Sequence, residues 1–298
     1  MQQESNTQRY ITLSDGRRLA YAEYGDPLGL PVVYCHGFPG SRLEAALFHD
    51  TAKQGGVRVI SADRNGLGDS DYLPNRTMLD WPDDVAAMAD ALGLDRFHLL
   101  GVSGGGPYAL ACAYRIPERL KGLALVCPLG PLDQPGLLWA MRWPALFSFT
   151  SMRETPFLSR SFLRTAVVPW ARFQPHLLFR LMLTMMPGPD YRVLSRPAVS
   201  NAIITSLGES VRNGAEGVLQ EIALYANPWG FNPAEIQMPL QLWHGTADDT
   251  VPLSHGRWLA QHLPHCVAHE IEGEGHFSLP IEHMQRIQAS LIAGSSSE

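Results

Sequence analysis

Short, continuously apolar runs alternate with helix-forming stretches through much of this chain. Such runs occupy residues 31–35, 57–60, 97–100, 123–127, 240–243 and 267–271. Apolar runs without polar alternation are typical of parallel strands that are covered on both faces. Helical patterns near 43–53 and 80–92 separate the first of these runs. The alternation predicts an α/β fold built on one doubly wound, mostly parallel sheet.

The first strands are expected to be antiparallel. Residues 9–24 contain an alternating stretch, the turn-forming pair Asp15 and Gly16, and a second apolar stretch. This arrangement is typical of a hairpin.

The alternation of strands and helices stops between Pro128 and about Trp229. The intervening sequence is helical in pattern and is broken at Pro144, Pro156, Pro169, Pro175, Pro187 and Pro197. It holds four of the seven tryptophans and five of the ten methionines. Its nine arginines and six acidic residues give it a net charge of +3, whereas the rest of the chain has a net charge of −9. The sequence therefore predicts a core of residues 1–130 and 230–298 and a helical lid of residues 131–229 that covers the carboxyl edge of the sheet. The alternative is that these aromatic and methionine side chains pack the lid's own helices together.

Length and charge limit the possible partners. A chain of 298 residues can bury one large core, with or without an inserted subdomain. A net charge of −6 creates no field that attracts phosphates, so neither nucleic acid nor an anionic membrane is an expected partner. No apolar stretch is long enough to span a membrane, and residues 1–10 lack the apolar segment of a signal peptide. Four cysteines without paired spacing indicate buried free thiols and, with these features, a cytoplasmic setting. The oligomeric state is not predicted.

The pentapeptide from Gly101 to Gly105 lies between an apolar run and a helix-forming stretch. A G-x-S-x-G sequence in that context is typical of a sharp turn that exposes its serine, here Ser103. The amide of Gly104 and the start of the following helix both direct positive charge towards the serine. Ser103 is thus a candidate nucleophile, although the same five residues also occur by chance in glycine-rich proteins.

A second loop follows the first apolar run. Residues 36–40 place Phe38 between glycines, which leaves its backbone N–H free to point outward. With the Gly104 amide, the Phe38 amide would form the two-donor oxyanion hole that acyl transfer requires. A plain turn is the alternative.

A carboxylate and an imidazole end the last two predicted strands. Asp248 and Asp249 follow one strand, and His276 follows the next. Serine needs a base to accept its proton, and the base needs a carboxylate to fix its tautomer. We therefore predict that Ser103 and His276 act with Asp248 or Asp249, and expect the other carboxylate to cap the helix near Pro252 or to face solvent. Taken singly, Asp248 is also compatible with a turn and His276 with a surface loop.

Metal and cofactor sites are not predicted. The sequence has no zinc-protease, EF-hand or P-loop motif, and its glycine-rich turn does not match the dinucleotide pattern. His262, His265 and His269 lie close in sequence, but a helix-to-strand transition would separate them.

Together these motifs resemble the α/β-hydrolase superfamily, in particular its lidded serine esterases. The resemblance covers almost the whole chain and is carried by segments at 36–40, 63–70, 101–105, 245–252 and 273–276. It implies Asp248 as the acid, with Asp133 as a further candidate because some relatives carry the acid after the preceding strand. The 63–70 loop is expected to be structural, with Arg64 and Asn65 near the pocket as the alternative. Serine rather than aspartate at the turn disfavours dehalogenase and epoxide hydrolase chemistry.

The expected function is hydrolysis of carboxylic esters of hydrophobic substrates through an acyl-enzyme. The same residues are compatible with cleavage of amides, amino-terminal peptide bonds, thioesters, lactones or carbon–carbon bonds. An aminopeptidase would need an anionic group in the pocket, for which Glu154, Glu209 and Glu216 are the candidates. A ligand receptor that retains the three residues with little turnover is the alternative from another class.

Overall fold

The computed structural model describes residues 7–186 and 188–294 and contains one eight-stranded sheet. The predictions for the first six residues and for Pro187 lie outside these ranges. The spatial order of the strands is β1-β2-β4-β3-β5-β6-β7-β8. Their bounds are β1 Arg9–Thr12, β2 Arg18–Gly25, β3 Leu30–Cys35, β4 Val57–Ala62, β5 Phe97–Val102, β6 Leu120–Val126, β7 Leu240–Gly245 and β8 Cys266–Ile271.

The sheet is mostly parallel. Strand β2 pairs antiparallel with β1 and β4, and every later pair is parallel. All six residues of β5 are buried, and neighbouring residues of this strand belong to different apolar clusters, Leu99 on one face and Leu100 on the other. Helices therefore cover both faces, which confirms the predicted fold class and the amino-terminal hairpin.

Helices occupy both faces of the sheet and the region between β6 and β7. The α-helices in the described ranges are α1 His49–Gln54, α2 Trp81–Ala91, α3 Gly105–Arg115, α4 Leu137–Ala140, α5 Trp143–Glu154, α6 Pro156–Phe162, α7 Val168–Phe173, α8 Pro175–Leu183, α9 Gly188–Leu194, α10 Pro197–Ser210, α11 Glu216–Ala226, α12 Leu253–His262 and α13 Ser278–Ala293. A π-helical turn, Leu163–Val167, joins α6 to α7. None of the helices in these ranges is both long and apolar enough to cross a membrane.

Helices α4 to α11 form what we call the helical insertion, residues 137–226. Five of them carry a proline in the first turn, where the missing N–H costs no hydrogen bond. Five of the six prolines that the sequence marks as breaks, all except Pro187, therefore begin helices. The proposed lid boundaries, 131 and 229, stay predictions.

The thiols are free, as expected, but they differ in burial. Cys35, Cys112 and Cys127 are buried, whereas Cys266 is half-buried because it begins the edge strand β8.

Candidate active site

Ser103 lies in the sharp turn between β5 and α3. Its φ of +55° is in the left-handed region, where a side chain is strained. The neighbouring glycines are required by close packing, since a Cβ on Gly105 would lie 2.0 Å from the Cys35 carbonyl oxygen and one on Gly101 would lie 2.7 Å from Ala109 Cβ. The Ser103 N–H donates to the Val126 carbonyl at 2.9 Å, which anchors the turn to β6.

A chain of hydrogen bonds leads from Ser103 to a carboxylate. His276 Nε2 lies 2.9 Å from Ser103 Oγ, and His276 Nδ1 lies 2.8 Å from Asp248 Oδ2. The other oxygen of Asp248 accepts from the backbone N–H groups of Thr250 and Val251, at 2.9 and 2.8 Å. Because an ionised carboxylate only accepts, Nδ1 carries a proton, and Nε2 of the neutral imidazole is left to accept from the serine hydroxyl.

The electrostatics of this group favour a charged Asp248. Burial raises the pKa of the Asp248 carboxyl, but His276 and His244 outweigh burial and hold the pKa well below its usual range. Burial likewise lowers the pKa of His276, but the Asp248 carboxylate outweighs it, so the pKa of this imidazole lies above its ordinary value near 6.5. The carboxylate therefore stabilises the protonated form of the His276 imidazole.

The other candidate acids lie elsewhere. The Asp249 side chain is 56% exposed and lies 3.6 Å from Arg142 Nη1. It faces solvent, one of its two expected places, and does not cap α12, whose first turn has no side-chain cap. Asp133 is exposed, and its carboxylate lies 3.4 Å from Gln134 Nε2. Of the three aspartates, the structure brings Asp248 to His276.

The loop that follows β3 meets the serine turn at the predicted oxyanion position. A Cβ on Gly104 would lie 2.8 Å from Phe38 Cβ, so the Gly104 backbone lies against the Phe38 side chain. Neither the Phe38 nor the Gly104 N–H donates a hydrogen bond to another described residue. Both amides are therefore available to an oxygen atom that develops negative charge.

Arg64 anchors the 36–40 loop through hydrogen bonds to its backbone. Its guanidinium donates to the carbonyl oxygens of His36 and Gly37, at 2.6 and 3.1 Å, and its Nε donates to Glu221 Oε2 at 2.9 Å. Arg64 is fully buried. The structural role of the 63–70 loop stays a prediction. Through Arg64, Glu221 of α11 connects the helical insertion to the 36–40 loop.

Glu221 is the centre of a buried charge network. It pairs with both Arg64 and Arg76 and accepts from the Tyr108 hydroxyl at 2.6 Å. Burial raises its pKa, but the two guanidinium groups outweigh burial and lower the pKa to about 2. The Tyr225 hydroxyl, one turn further along α11, lies 2.8 Å from Glu221 Oε2 and 2.9 Å from the Gly104 carbonyl oxygen. Helix α11 thus contacts Gly104 directly and contacts the 36–40 loop through Arg64.

Asp190 of α9 supports the histidine side of the site. Its carboxylate accepts from the backbone N–H groups of His276, Phe277 and Ser278, at 3.0, 2.9 and 2.9 Å. A Cβ on Gly275 would lie 2.5 Å from Asp190 Oδ1, so this glycine admits the carboxylate. Sequence reasoning missed Asp190, Glu221 and Tyr225, because nothing in their local pattern relates them to partners far away in the chain.

Glu44 is a further carboxylate beside the serine. Its Oε1 accepts from the Tyr34 hydroxyl at 2.6 Å and from the Gly37 N–H at 2.9 Å. A Cβ on Gly37 would lie 3.2 Å from Glu44 Oε2 and 3.6 Å from Ser103 Cβ, so both side chains adjoin Gly37. Burial raises the pKa of Glu44 above its usual value. The signal that could have found it is its position four residues after the Gly40 end of the loop.

The acids predicted for an amine-binding pocket are engaged elsewhere. Glu154 lies near Arg153 at the surface, Glu209 binds Arg42 at 2.8 Å, and Glu216 binds Arg164 at 2.5 Å. Of the carboxylates in the described ranges that sequence reasoning did not weigh, Glu44 and Asp190 approach the site.

One group of side chains in the described ranges has the spacing of metal ligands: Cys127, Asp248 and His276, whose ligand atoms lie within 4.8 Å of one another. Both imidazole nitrogens already contact Ser103 or Asp248. A metal ion would have to displace one of these contacts, so the arrangement suits proton transfer better than metal binding.

Comparison with known proteins supports the same architecture. A thermophilic esterase from Thermogutta terrifontis has 24% sequence identity and a TM-score of 0.67, over 96% of this chain and 97% of that one. A proline iminopeptidase from Xylella fastidiosa (strain 9a5c) is 37% identical over 120 residues, which are 39% of this chain and 37% of the relative. A non-heme chloroperoxidase from Streptomyces lividans is 35% identical over 130 residues, 41% of this chain and 45% of the relative. The chain thus spans less than half the length of the curated relatives that it matches. The family model for the alpha/beta hydrolase fold matches residues 31–282, and the chain belongs to that family.

Proposed function

We propose that this protein is a serine hydrolase that cleaves carboxylic esters of hydrophobic substrates. The observation that carries the proposal is the hydrogen-bonded chain from Ser103 through His276 to Asp248, next to two backbone amides without internal acceptors. A weak nucleophile, a base and an orienting carboxylate are the groups that acyl transfer requires.

The proposed reaction begins when Ser103 Oγ attacks the acyl carbon and its proton passes to His276 Nε2. The Phe38 and Gly104 amides bind the oxyanion of the tetrahedral intermediate. His276 then returns the proton to the leaving alcohol, and an acyl-enzyme remains on Ser103. Water, deprotonated by His276, attacks this ester and releases the acid. Asp248 stays ionised throughout and stabilises the imidazolium.

A hydrophobic substrate is proposed because aromatic side chains pack beside the 36–40 loop. Phe38 contacts Tyr225, with ring centroids 5.4 Å apart, and Phe149 of α5 contacts the same tyrosine at 6.3 Å. Arg64 and Arg76, the arginines nearest the site, are buried and paired with Glu221. A charged substrate group would lose its hydration there with few partners in return.

The test is a screen of purified protein against p-nitrophenyl esters of graded chain length, with amide, thioester and lactone substrates in parallel. We expect ester turnover in the parent protein and a loss of more than about a thousandfold in Ser103→Ala, which removes the hydroxyl and little packing. Residual ester turnover near the parent rate in that variant would refute the proposal. Tight ligand-induced thermal stabilisation without turnover in the parent would support a receptor instead.

A second candidate, hydrolysis of an amino-terminal amide bond, is favoured by Glu44. The Glu44 Oε2 atom lies beside the serine turn, where a substrate ammonium group could bind, and relatives of this chain include proline iminopeptidases. The variant Glu44→Gln keeps an oxygen for Tyr34 and Gly37 but removes the charge. If aminoacyl amides are the substrates, it should lower kcat/KM for aminoacyl p-nitroanilides and spare uncharged esters. Equal effects on both substrates would exclude amine recognition by Glu44.

A further inference from the structure

The helices on the outside of the helical insertion expose an unusual number of large apolar side chains. We define residues 139–183, from the end of α4 through α8, as the outer layer. Ten of the sixteen exposed large hydrophobic residues recorded in the described ranges belong to it. Trp139, Trp143, Phe157 and Phe173 are 71, 73, 82 and 70% exposed. Such a patch marks an interaction surface, since exposed apolar residues are otherwise scattered singly.

These side chains belong to elements that contact one another in succession. Successive elements of the outer layer contact one another: α5 with α6, α6 with the π-helical turn, that turn with α7, and α7 with α8. Each element turns one or two buried residues inward, among them Phe149, Leu163 and Phe179. The outer layer is therefore a continuous series of packed elements that buries few of its side chains and leaves ten large apolar ones exposed.

The same surface is positively charged. The outer layer holds six arginines and one acidic residue, Glu154, which gives it +5 in a chain of net charge −6. Within the described ranges, no carboxylate lies within 4.0 Å of Arg160, Arg172 or Arg180. The net charge of the whole chain led us to expect no anionic membrane as a partner. That charge is the sum of a positive outer layer and an acidic remainder, so it does not describe the outer layer.

We propose that the outer layer docks on an anionic lipid surface. Tryptophan and phenylalanine side chains bury their rings at the boundary between headgroups and acyl chains, and arginines beside them are attracted to anionic headgroups. A second copy of this chain is a poor occupant, because a symmetric contact would bring two layers of the same charge together. Docking would bring the Ser103 site to apolar substrates in the membrane, but the docking itself does not depend on the proposed catalysis.

Co-sedimentation with large unilamellar vesicles tests the proposal. The full chain is mixed with vesicles of phosphatidylcholine alone or of phosphatidylcholine with phosphatidylserine. We expect sedimentation with the mixed vesicles that weakens as salt increases. The triple variant Arg160→Glu, Arg172→Glu, Arg180→Glu should bind roughly a hundredfold more weakly or worse. The variant Phe157→Ser, Phe173→Ser should lose roughly tenfold, which binding by charge alone would not explain.

A matched control changes the charge by the same amount elsewhere. Lys53→Glu, Arg115→Glu, Lys121→Glu alters exposed residues of the core and should bind vesicles nearly as well as the parent. Circular dichroism and turnover of a water-soluble ester establish that every variant is folded. Equal binding to both kinds of vesicle, equal loss in the control, or dimerisation through this layer would overturn the proposal. Stronger binding to an oligonucleotide than to the vesicles would also overturn it.

Discussion

The arginines at the sheet edge and the arginines of the outer layer have the same chemistry but opposite surroundings. Arg42, Arg64 and Arg76 are buried and paired with carboxylates. Arg172 and Arg180 are exposed and have no carboxylate within 4.0 Å in the described ranges. A buried guanidinium must be paired, so the first set fixes backbone segments against one another. An exposed guanidinium without a carboxylate partner forms no ion pair that stabilises the fold, so it remains available to a ligand.

This difference divides the helical insertion itself. Helices α10 and α11 contribute Glu209 and Glu221 to the buried pairs, so they are bound to the core as firmly as the core helices. The outer layer is held by fewer buried residues, and elements with few buried contacts open at lower free energy. We therefore expect any lid motion to occur in the outer layer, while α11 stays in place beside Phe38 and Gly104.

The largest effect is expected where the buried pairing reaches the proposed chemistry. Asp248→Asn keeps the shape of the side chain but lets the amide favour the wrong histidine tautomer, and should lower kcat by about ten thousandfold. Asp249→Asn and Asp133→Asn, at exposed positions, should stay close to the parent. Steady-state kinetics on a p-nitrophenyl ester measures all three. A mild effect at Asp248 with a crippling one at Asp249 or Asp133 would reassign the acid and leave Ser103 as the nucleophile.

The next effect concerns stability. Glu221→Gln leaves Arg64 and Arg76 buried without a counter-charge, which should cost about 3–5 kcal/mol of unfolding free energy. Glu216→Gln is the matched control on the same helix, since its pair with Arg164 is half exposed and should contribute no more than about 1 kcal/mol. Urea denaturation followed by circular dichroism gives both values. Similar midpoints for the two variants would mean that the buried network does not fix α11.

The sheet and the Ser103 group could be predicted because their sequence signals are local. Strands buried on both faces are continuously apolar, and the predicted 97–100 run became β5, Phe97–Val102. The turn at Ser103 needs small residues where β5 and α3 approach, so Gly101 and Gly105 mark it. Each of these constraints acts within a few residues of the position that it predicts.

The supporting carboxylates could not be predicted in this way. Asp190 meets His276 across 86 residues, and Glu221 meets Arg64 across 157. In the sequence, both are ordinary polar residues within helical patterns. Tertiary packing alone decides that they are buried. Trp139 and Trp143 are exposed, which contradicts for these two the alternative that the aromatics pack the insertion's own helices together, whereas Trp229 is buried and contacts Phe231 outside the insertion.

A smaller effect is expected in the pH dependence. His276 must be neutral to accept the proton from Ser103, and its pKa lies above 6.5, so kcat/KM should fall about tenfold per pH unit below that pKa. In Asp248→Asn no carboxylate raises the pKa of His276 against the effect of burial, so the residual activity should keep its rate to lower pH.

The protonated imidazole beside Asp248 favours the folded state, and this contribution to stability is lost as pH rises through the raised pKa of His276. Circular dichroism over the same range should therefore show a folded protein where the rate declines. An acid limb that stays in place in Asp248→Asn would assign it to another group.

The smallest effect is expected in the outer layer, and it sharpens the comparison most directly. Phe157 is 82% exposed, and its replacement removes no internal contact that the fold requires. Phe157→Ser should therefore change the unfolding free energy by less than about 0.5 kcal/mol and leave turnover of a water-soluble ester unchanged. Phe149→Ser is the matched control in the same layer, because that ring is 7% exposed and packs on Tyr225, and it should destabilise by several times as much. A clear stability loss in Phe157→Ser would mean that this side chain is part of the fold's own packing, and that the outer layer does not hold its aromatic side chains available for a partner.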